Sequence, residues 1–72
     1  MKRPKRGEFY RHFKGNTYYI VGLSRHTETG EILVTYKSFK EPDQIPHSRP
    51  LEQFMDIHPE HKVKRFEKVE IE

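Results

Sequence analysis

The sequence contains no cysteine, few hydrophobic residues and no long apolar run. Without cysteine, the chain can form neither a disulfide nor a thiolate metal site. Hydrophobic residues make up 32% of the 72 residues and charged residues 35%, so little apolar surface is available for a core. No run approaches the roughly 20 apolar residues that cross a bilayer, and no apolar segment follows the basic N-terminus as in a secretory signal. We therefore expect one small cytoplasmic domain that makes no membrane contact and forms a homo-oligomer to bury more surface.

The positive charge of the chain is concentrated at its beginning. Four of the 14 lysines and arginines lie in residues 1–6, which leaves ten against eleven acidic residues in the rest of the chain. We expect residues 1–6 to be a flexible basic tail that buries almost nothing, and residues 7–72 to form the domain. Such a tail can hold phosphate backbones. The slightly acidic domain behind it argues against strong nucleic-acid binding.

Aromatic and β-branched residues favour strands at residues 8–13, 17–24 and 32–38. The turn residues at 14–16 and the polar loop at 25–31 would join these runs as antiparallel hairpins. Gly22 is expected to mark a bulge in the second strand.

Prolines dominate the next part of the chain and exclude a long helix there, at Pro42, Pro46, Pro50 and Pro59. They leave room for an edge strand near residues 45–49 and for one helical turn at residues 51–56. A last strand is expected over residues 63–71, where β-branched residues recur. The pattern predicts a mainly β fold, a small SH3-like barrel of about five antiparallel strands with one short helical turn.

Several motifs in the chain recur together in a known family. They are Tyr10-Arg11-His12-Phe13-Lys14-Gly15-Asn16, Arg25-His26-Thr27-Glu28-Thr29-Gly30-Glu31, Arg49-Pro50-Leu51-Glu52-Gln53-Phe54 and Arg65-Phe66. Over roughly residues 7–66 the chain resembles a short bacterial and phage family, domain of unknown function 1653. It departs from that family at His47-Ser48, where an aromatic residue commonly precedes Arg-Pro, and at residues 39–42, which usually read Leu-Tyr-Gly-Asp. The resemblance implies a compact single domain and brings no known activity.

Two Arg-His pairs, at residues 11–12 and 25–26, suggest a binding site. Arginine offers a planar fork for phosphate or carboxylate, and aromatic rings stack on bases. Arg11 and His12 should point to opposite faces of their strand, so only one of them would line a given surface. We expect a cationic, aromatic-edged site built from Arg11, Lys14, Tyr18, Arg25, His26, Tyr36 and Arg49. The alternative is that Arg11 and Arg25 pair with acidic residues and brace the barrel, at Glu28, Glu31 or Glu52.

Metal binding and catalysis have little support in the sequence. His58 and His61 are spaced like some zinc ligands, but a structural zinc site needs four ligands and the chain has no cysteine. No nucleophile elbow or glycine-rich phosphate loop is present. His26 with Glu28 is the one candidate general base with an orienting carboxylate. We expect no metal, no cofactor and no enzymatic activity.

These observations favour a binding module for an anionic, nucleotide-like ligand. One 72-residue barrel cannot enclose such a ligand, so the site would lie between subunits. The resemblance to a family found in phages suggests sequestration of a signalling nucleotide. Two alternatives stay open: a protein-interaction module, and nucleic-acid binding through the basic tail and an adjacent barrel face.

Overall fold

A computed structural model describes residues 3–41, 43 and 45–70, which form one curled antiparallel sheet and a short helix. The strands are β1 (Phe9–His12), β2 (Thr17–Arg25), β3 (Ile32–Ser38), β4 (His47–Pro50) and β5 (Phe66–Val69), and the helix is α1 (Leu51–Phe54). The order across the sheet is β4-β3-β2-β1-β5. β5 therefore returns beside β1, as in an SH3-like barrel. The predicted mainly β fold, with five antiparallel strands and one helical turn, is confirmed.

Tight turns join the first three strands, as the sequence predicts. Between β1 and β2, the His12 amide donates to the Asn16 carbonyl at 2.7 Å, and Gly15 adopts a φ of 108°. Between β2 and β3, the His26 amide donates to the Glu31 carbonyl at 2.8 Å. Both turns need left-handed backbone, which glycine adopts without strain. The register of β2 against β3 shifts between Ile20 and Gly22, so the predicted bulge is also present.

The core lies on the concave side of the sheet and is largely aromatic. Its fully or nearly buried members are Tyr10, Ile20, Val34, Tyr36, Phe54 and Phe66. Phe54, from α1, stacks on Phe66 of β5 with ring centroids 4.1 Å apart and planes inclined by 8°. The helix thus covers the concave side of the sheet between β4 and the last strand, β5.

The second half of the chain departs from the predicted element boundaries. The predicted strand over residues 63–71 begins only at Phe66, because the preceding residues fold back in an isolated bridge between Ile57 and Lys64. Within this loop Arg65 N–H donates to the Asp56 carbonyl at 3.0 Å. Pro42 and Ile71, which figured in the sequence-based boundaries, lie outside the described residues. No helix in the described part of the chain is long and apolar enough to cross a membrane.

The start of the chain contacts the domain more closely than its composition suggests. Pro4 is fully buried. The Lys5 amide donates to Glu8 Oε1 at 2.8 Å, and the Gly7 amide donates to the Ile20 carbonyl at 3.0 Å. The expectation that residues 1–6 bury almost nothing is therefore wrong at Pro4. Met1 and Lys2 lie outside the described residues, and the flexibility of the segment stays a prediction.

Candidate functional site

Three of the predicted site residues meet on the concave side of the sheet. Tyr18 and Tyr36 contact each other edge to face, with ring centroids 5.1 Å apart. Arg49 Nε donates to the Tyr36 hydroxyl at 3.4 Å. β4 positions Arg49 because its partner in β3 is the fully buried Val34, whose side chain faces the core. The following Pro50 restricts Arg49 to extended backbone.

Arg49 carries a charge that is fixed in place by rings and a hydroxyl. Its guanidinium carbon lies 5.9 Å from the centroid of the Phe66 ring, within the range of a cation–π contact. Among residues 3–41, 43 and 45–70, no carboxylate lies within ion-pair distance of this guanidinium. Within the described residues, Arg49 is therefore positioned by neutral groups.

Tyr36 has a different role from the one its sequence position suggested. Its ring is 95% buried and contacts the rings of Phe54, Phe66 and His47 as well as Tyr18. A ring enclosed in this way cannot stack on a ligand, so the expectation of stacking on Tyr36 is wrong. Its contribution to the site is the hydroxyl that anchors Arg49. Tyr18 is half-buried and keeps part of its ring accessible.

His12 lies near several positive groups; its Arg-His pair was singled out in the sequence, but His12 was not in the predicted set of ligand-binding residues. Its ring contacts Phe66 at 4.9 Å and Phe13 at 4.5 Å. Burial lowers the pKa of His12, and nearby positive groups lower it further; in order of effect they are Arg49, Arg65, Lys14 and His58. We call His12, Lys14, Arg49, His58 and Arg65 the cationic cluster. Strand alternation could have placed His12 on this side of the sheet, since His12 lies two residues after the core residue Tyr10.

One carboxylate balances part of the cationic cluster. Asp56 receives two hydrogen bonds from Arg65, Nε to Oδ1 at 2.7 Å and Nη2 to Oδ2 at 3.3 Å. These bonds hold the pKa of Asp56 below its ordinary value and raise that of Arg65. The pair fixes Arg65 in the bidentate geometry that arginine also uses for phosphate. Arg49 and Lys14 have no such partner among the described residues.

Aromatic and imidazole rings form a wall beside the cluster. The Phe13 ring contacts those of His12 and His58, with centroid distances of 4.5 and 4.6 Å, and His61 lies 5.0 Å from Phe13. Lys14 Nζ lies 6.0 Å from the Phe13 centroid. No group of three or more histidine, aspartate and glutamate side chains within the described ranges is arranged to hold a metal ion.

Arg11 faces away from the cluster. Its strand neighbours Tyr10 and His12 face the core, so Arg11 points to the convex side of the sheet, where its cross-strand partner is Glu67. At the end of the strand, however, Arg11 and His12 both border one shallow depression, together with Phe13 and Glu67. The expectation that Arg11 and His12 cannot line one surface is therefore wrong at this edge. In the described part of the chain, Arg11 forms no ion pair.

The second Arg-His pair stabilises the loop between β2 and β3. Arg25 Nη1 donates to the Gly30 carbonyl at 2.7 Å. His26 Nδ1 accepts the backbone N–H groups of Glu28 at 3.2 Å and of Thr29 at 3.3 Å. The contact between His26 and Glu28 thus uses the backbone, not the carboxylate that a general base would need for orientation. Among the described residues, Arg25 forms no ion pair with an acidic side chain that would brace the barrel.

Comparison with known proteins gives one match. Neither a curated protein nor a solved structure matches this chain. A family model described as "Protein of unknown function (DUF1653)" matches residues 8–68 of the 72. The match includes β1 to β4, β5 except its last residue Val69, the helix, and every member of the cationic cluster. By the extent of this match, the chain belongs to the DUF1653 family of proteins of unknown function.

Proposed function

We propose that this domain binds an anionic, nucleotide-like ligand at the cationic cluster and does not catalyse a reaction. The observation that supports the proposal best is the fixed guanidinium of Arg49, which has no carboxylate partner in the described part of the chain. Lys14 and Arg65 add positive charge nearby, and Asp56 is the acid that offsets it. Cations that are fixed in place and only partly offset by a carboxylate favour anion binding, since no side chain has to rearrange when the anion binds.

The rings around the cluster support a ligand that carries a planar group as well as charge. Tyr18 is half-buried, so part of it remains accessible. Stacking of a base on such rings, beside arginine, is a common way to bind nucleotides without reading their sequence. A cytoplasmic setting, where nucleotides are abundant, and sequestration of a signalling nucleotide are consistent with this proposal.

Lys14 of the cationic cluster is exposed to solvent, and no other member of the cluster is fully buried. One protomer supplies only one wall around a ligand of this size. We propose that a second copy of the chain covers the ligand, so that binding and homo-oligomer formation are linked. Mass spectrometry under native conditions would report the oligomeric state and any small molecule that remains bound after purification.

Calorimetric titration with ATP, pyrophosphate and adenosine tests the proposal directly. We expect ATP and pyrophosphate to bind and adenosine, which lacks phosphate, to bind far more weakly. Arg49→Gln should weaken ATP binding about tenfold or more, as expected for losing a charge-assisted contact. Arg25→Gln is the matched control, because it removes the same charge at the far end of β2. Equal losses in both variants, or no binding of either phosphate compound, would contradict the proposal.

A second candidate function, protein interaction, is favoured by the convex face. Phe9 contacts Tyr19 at 5.5 Å and Phe39 at 5.6 Å, and the side of the sheet they share is the one opposite the core. Phe39 is 51% exposed. Exposed aromatic rings are typical anchors of protein interfaces. This candidate predicts that Phe39→Ala alters the oligomeric state on a sizing column with light scattering, while Arg49→Gln leaves it unchanged.

A further inference from the structure

Two histidines of the cationic cluster share a hydrogen-bonding pattern that defines which nitrogen of the neutral ring carries the proton. His12 Nδ1 accepts the backbone N–H of Lys14 at 3.2 Å. His58 Nδ1 accepts the backbone N–H groups of Glu60 at 3.2 Å and His61 at 3.4 Å. A ring nitrogen that accepts an N–H carries no proton, so the proton of the neutral ring is on Nε2. Each ring therefore offers one N–H donor on its other side.

The surroundings of His12 also favour its neutral form. Arg49 comes from β4, Arg65 from the residue before β5, Lys14 from the turn after β1 and His58 from the loop after α1, and each of them opposes a further positive charge on His12. Burial between the rings of Phe13 and Phe66 acts in the same direction. A proton on Nδ1 would in addition remove the hydrogen bond that closes the turn at Lys14. Asp56, the nearby carboxylate, is already paired with Arg65.

We propose that His12 binds the anion as a neutral donor through Nε2–H, while the charge is supplied by Arg49, Arg65 and Lys14. This inference rests on the proposed function and deepens it. A phosphate suits this combination of a neutral donor and charged groups, because its several oxygens can accept hydrogen bonds and form ion pairs at the same time. His58 contacts the same Phe13 ring as His12, with centroid distances of 4.6 and 4.5 Å.

The neutral state of His12 has a consequence for how ligand binding depends on pH. The arginines and Lys14 keep their charge near neutral pH, and His12 does not gain one. Affinity for ATP should then fall only as its terminal phosphate takes up its second proton, near a pKa of about 6. A dinucleotide joined by a phosphodiester, which has no such second ionisation, should bind with little change between about pH 6 and 8. Tighter binding of the phosphodiester at the lower pH would show that a histidine becomes charged in the complex and would overturn the inference.

Substitution of His12 by Asn and by Gln separates its two nitrogens. The Asn side-chain oxygen can accept the Lys14 N–H, as in a turn closed by an Asx side chain, but Asn has no donor at the position of Nε2. Gln places its amide nitrogen near the position of Nε2 and lacks the acceptor close to the backbone. We expect His12→Asn to keep the melting temperature and to lose about tenfold in affinity for ATP. His12→Gln should lower the melting temperature and keep more of the affinity for ATP than His12→Asn does.

Nitrogen-15 NMR of the histidine side chains tests the same inference in the free protein. We expect an unprotonated Nδ1 and a protonated Nε2 for His12 at pH 7. The opposite tautomer, or a doubly protonated ring, at His12 would overturn the inference whatever the ligand. Undiminished ATP binding by His12→Asn would overturn this inference and leave the proposed function standing. A wild-type protein that binds neither ATP nor pyrophosphate would overturn both.

Discussion

Replacement of Phe54 by alanine should remove a large part of the stability of this domain. Phe54 is fully buried and contacts the rings of Tyr10 at 5.3 Å, Tyr36 at 5.5 Å and Phe66 at 4.1 Å. Phe-to-Ala changes in cores cost about 3–5 kcal/mol of unfolding free energy. A chain of 72 residues has roughly 4–11 kcal/mol in total at the usual value per residue. The change should therefore remove at least about a quarter of the stability.

Thermal unfolding followed by circular dichroism measures this effect. One kcal/mol shifts the melting temperature of a domain this small by about 4–8 °C, so Phe54→Ala should lower it by at least about 12 °C. Phe39→Ala is the matched control, because the same atoms are removed from a ring that is 51% exposed and has one ring contact, to Phe9. The control should lose about 1 kcal/mol. Similar losses in the two variants would refute the position of α1 over the concave core.

Three further outcomes can be checked by unfolding experiments. Arg25→Gln should lower the unfolding free energy by only about 0.5–1.5 kcal/mol, the worth of its hydrogen bond to the Gly30 carbonyl; a loss above about 3 kcal/mol would reveal a buried acidic partner. Removal of residues 1–6 should lower the melting temperature because Pro4 is fully buried, and an unchanged value would contradict that burial. The pKa of Asp56 and that of Glu8 lie below their ordinary values of 3.8 and 4.5, through hydrogen bonds from Arg65 and from the Lys5 amide. Stability should hence be full above about pH 4.5 and fall below it, and a constant urea midpoint from pH 5 to pH 3 would exclude this contribution.

Local patterns were sufficient to predict the first three strands. The aromatic and β-branched run at residues 32–38 coincides with β3, and the run at residues 17–24 ends one residue short of β2. The last strand was predicted too long, because its first residues pair with Ile57 in a contact that depends on how the chain folds back. Periodicity cannot show such a contact, since the partner lies outside the segment whose pattern is being examined.

The candidate site was predicted only in part, for a related reason. The residue types of Tyr18, Tyr36 and Arg49 indicated a cationic, aromatic site, and these three do meet. Arg25 has the same chemistry but lies in the loop region at the far end of the sheet. The burial of the Tyr36 ring depends on where α1 packs, and the convergence of Arg65 on His12 depends on β5 pairing with β1. Both are properties of the folded sheet and not of any one segment.

The stacked pair of Phe54 and Phe66 has a consequence for how the site moves. Phe66 follows Arg65 directly in the chain, and its ring also lies under the guanidinium of Arg49. With the two rings 4.1 Å apart, Phe66 can rotate about its axis only when the core opens transiently. Such rotations should be slow, and the two arginines share the same restraint. The conformational entropy of arranging these cations is therefore lost when the chain folds, and little would remain to be lost on binding of the anion proposed above.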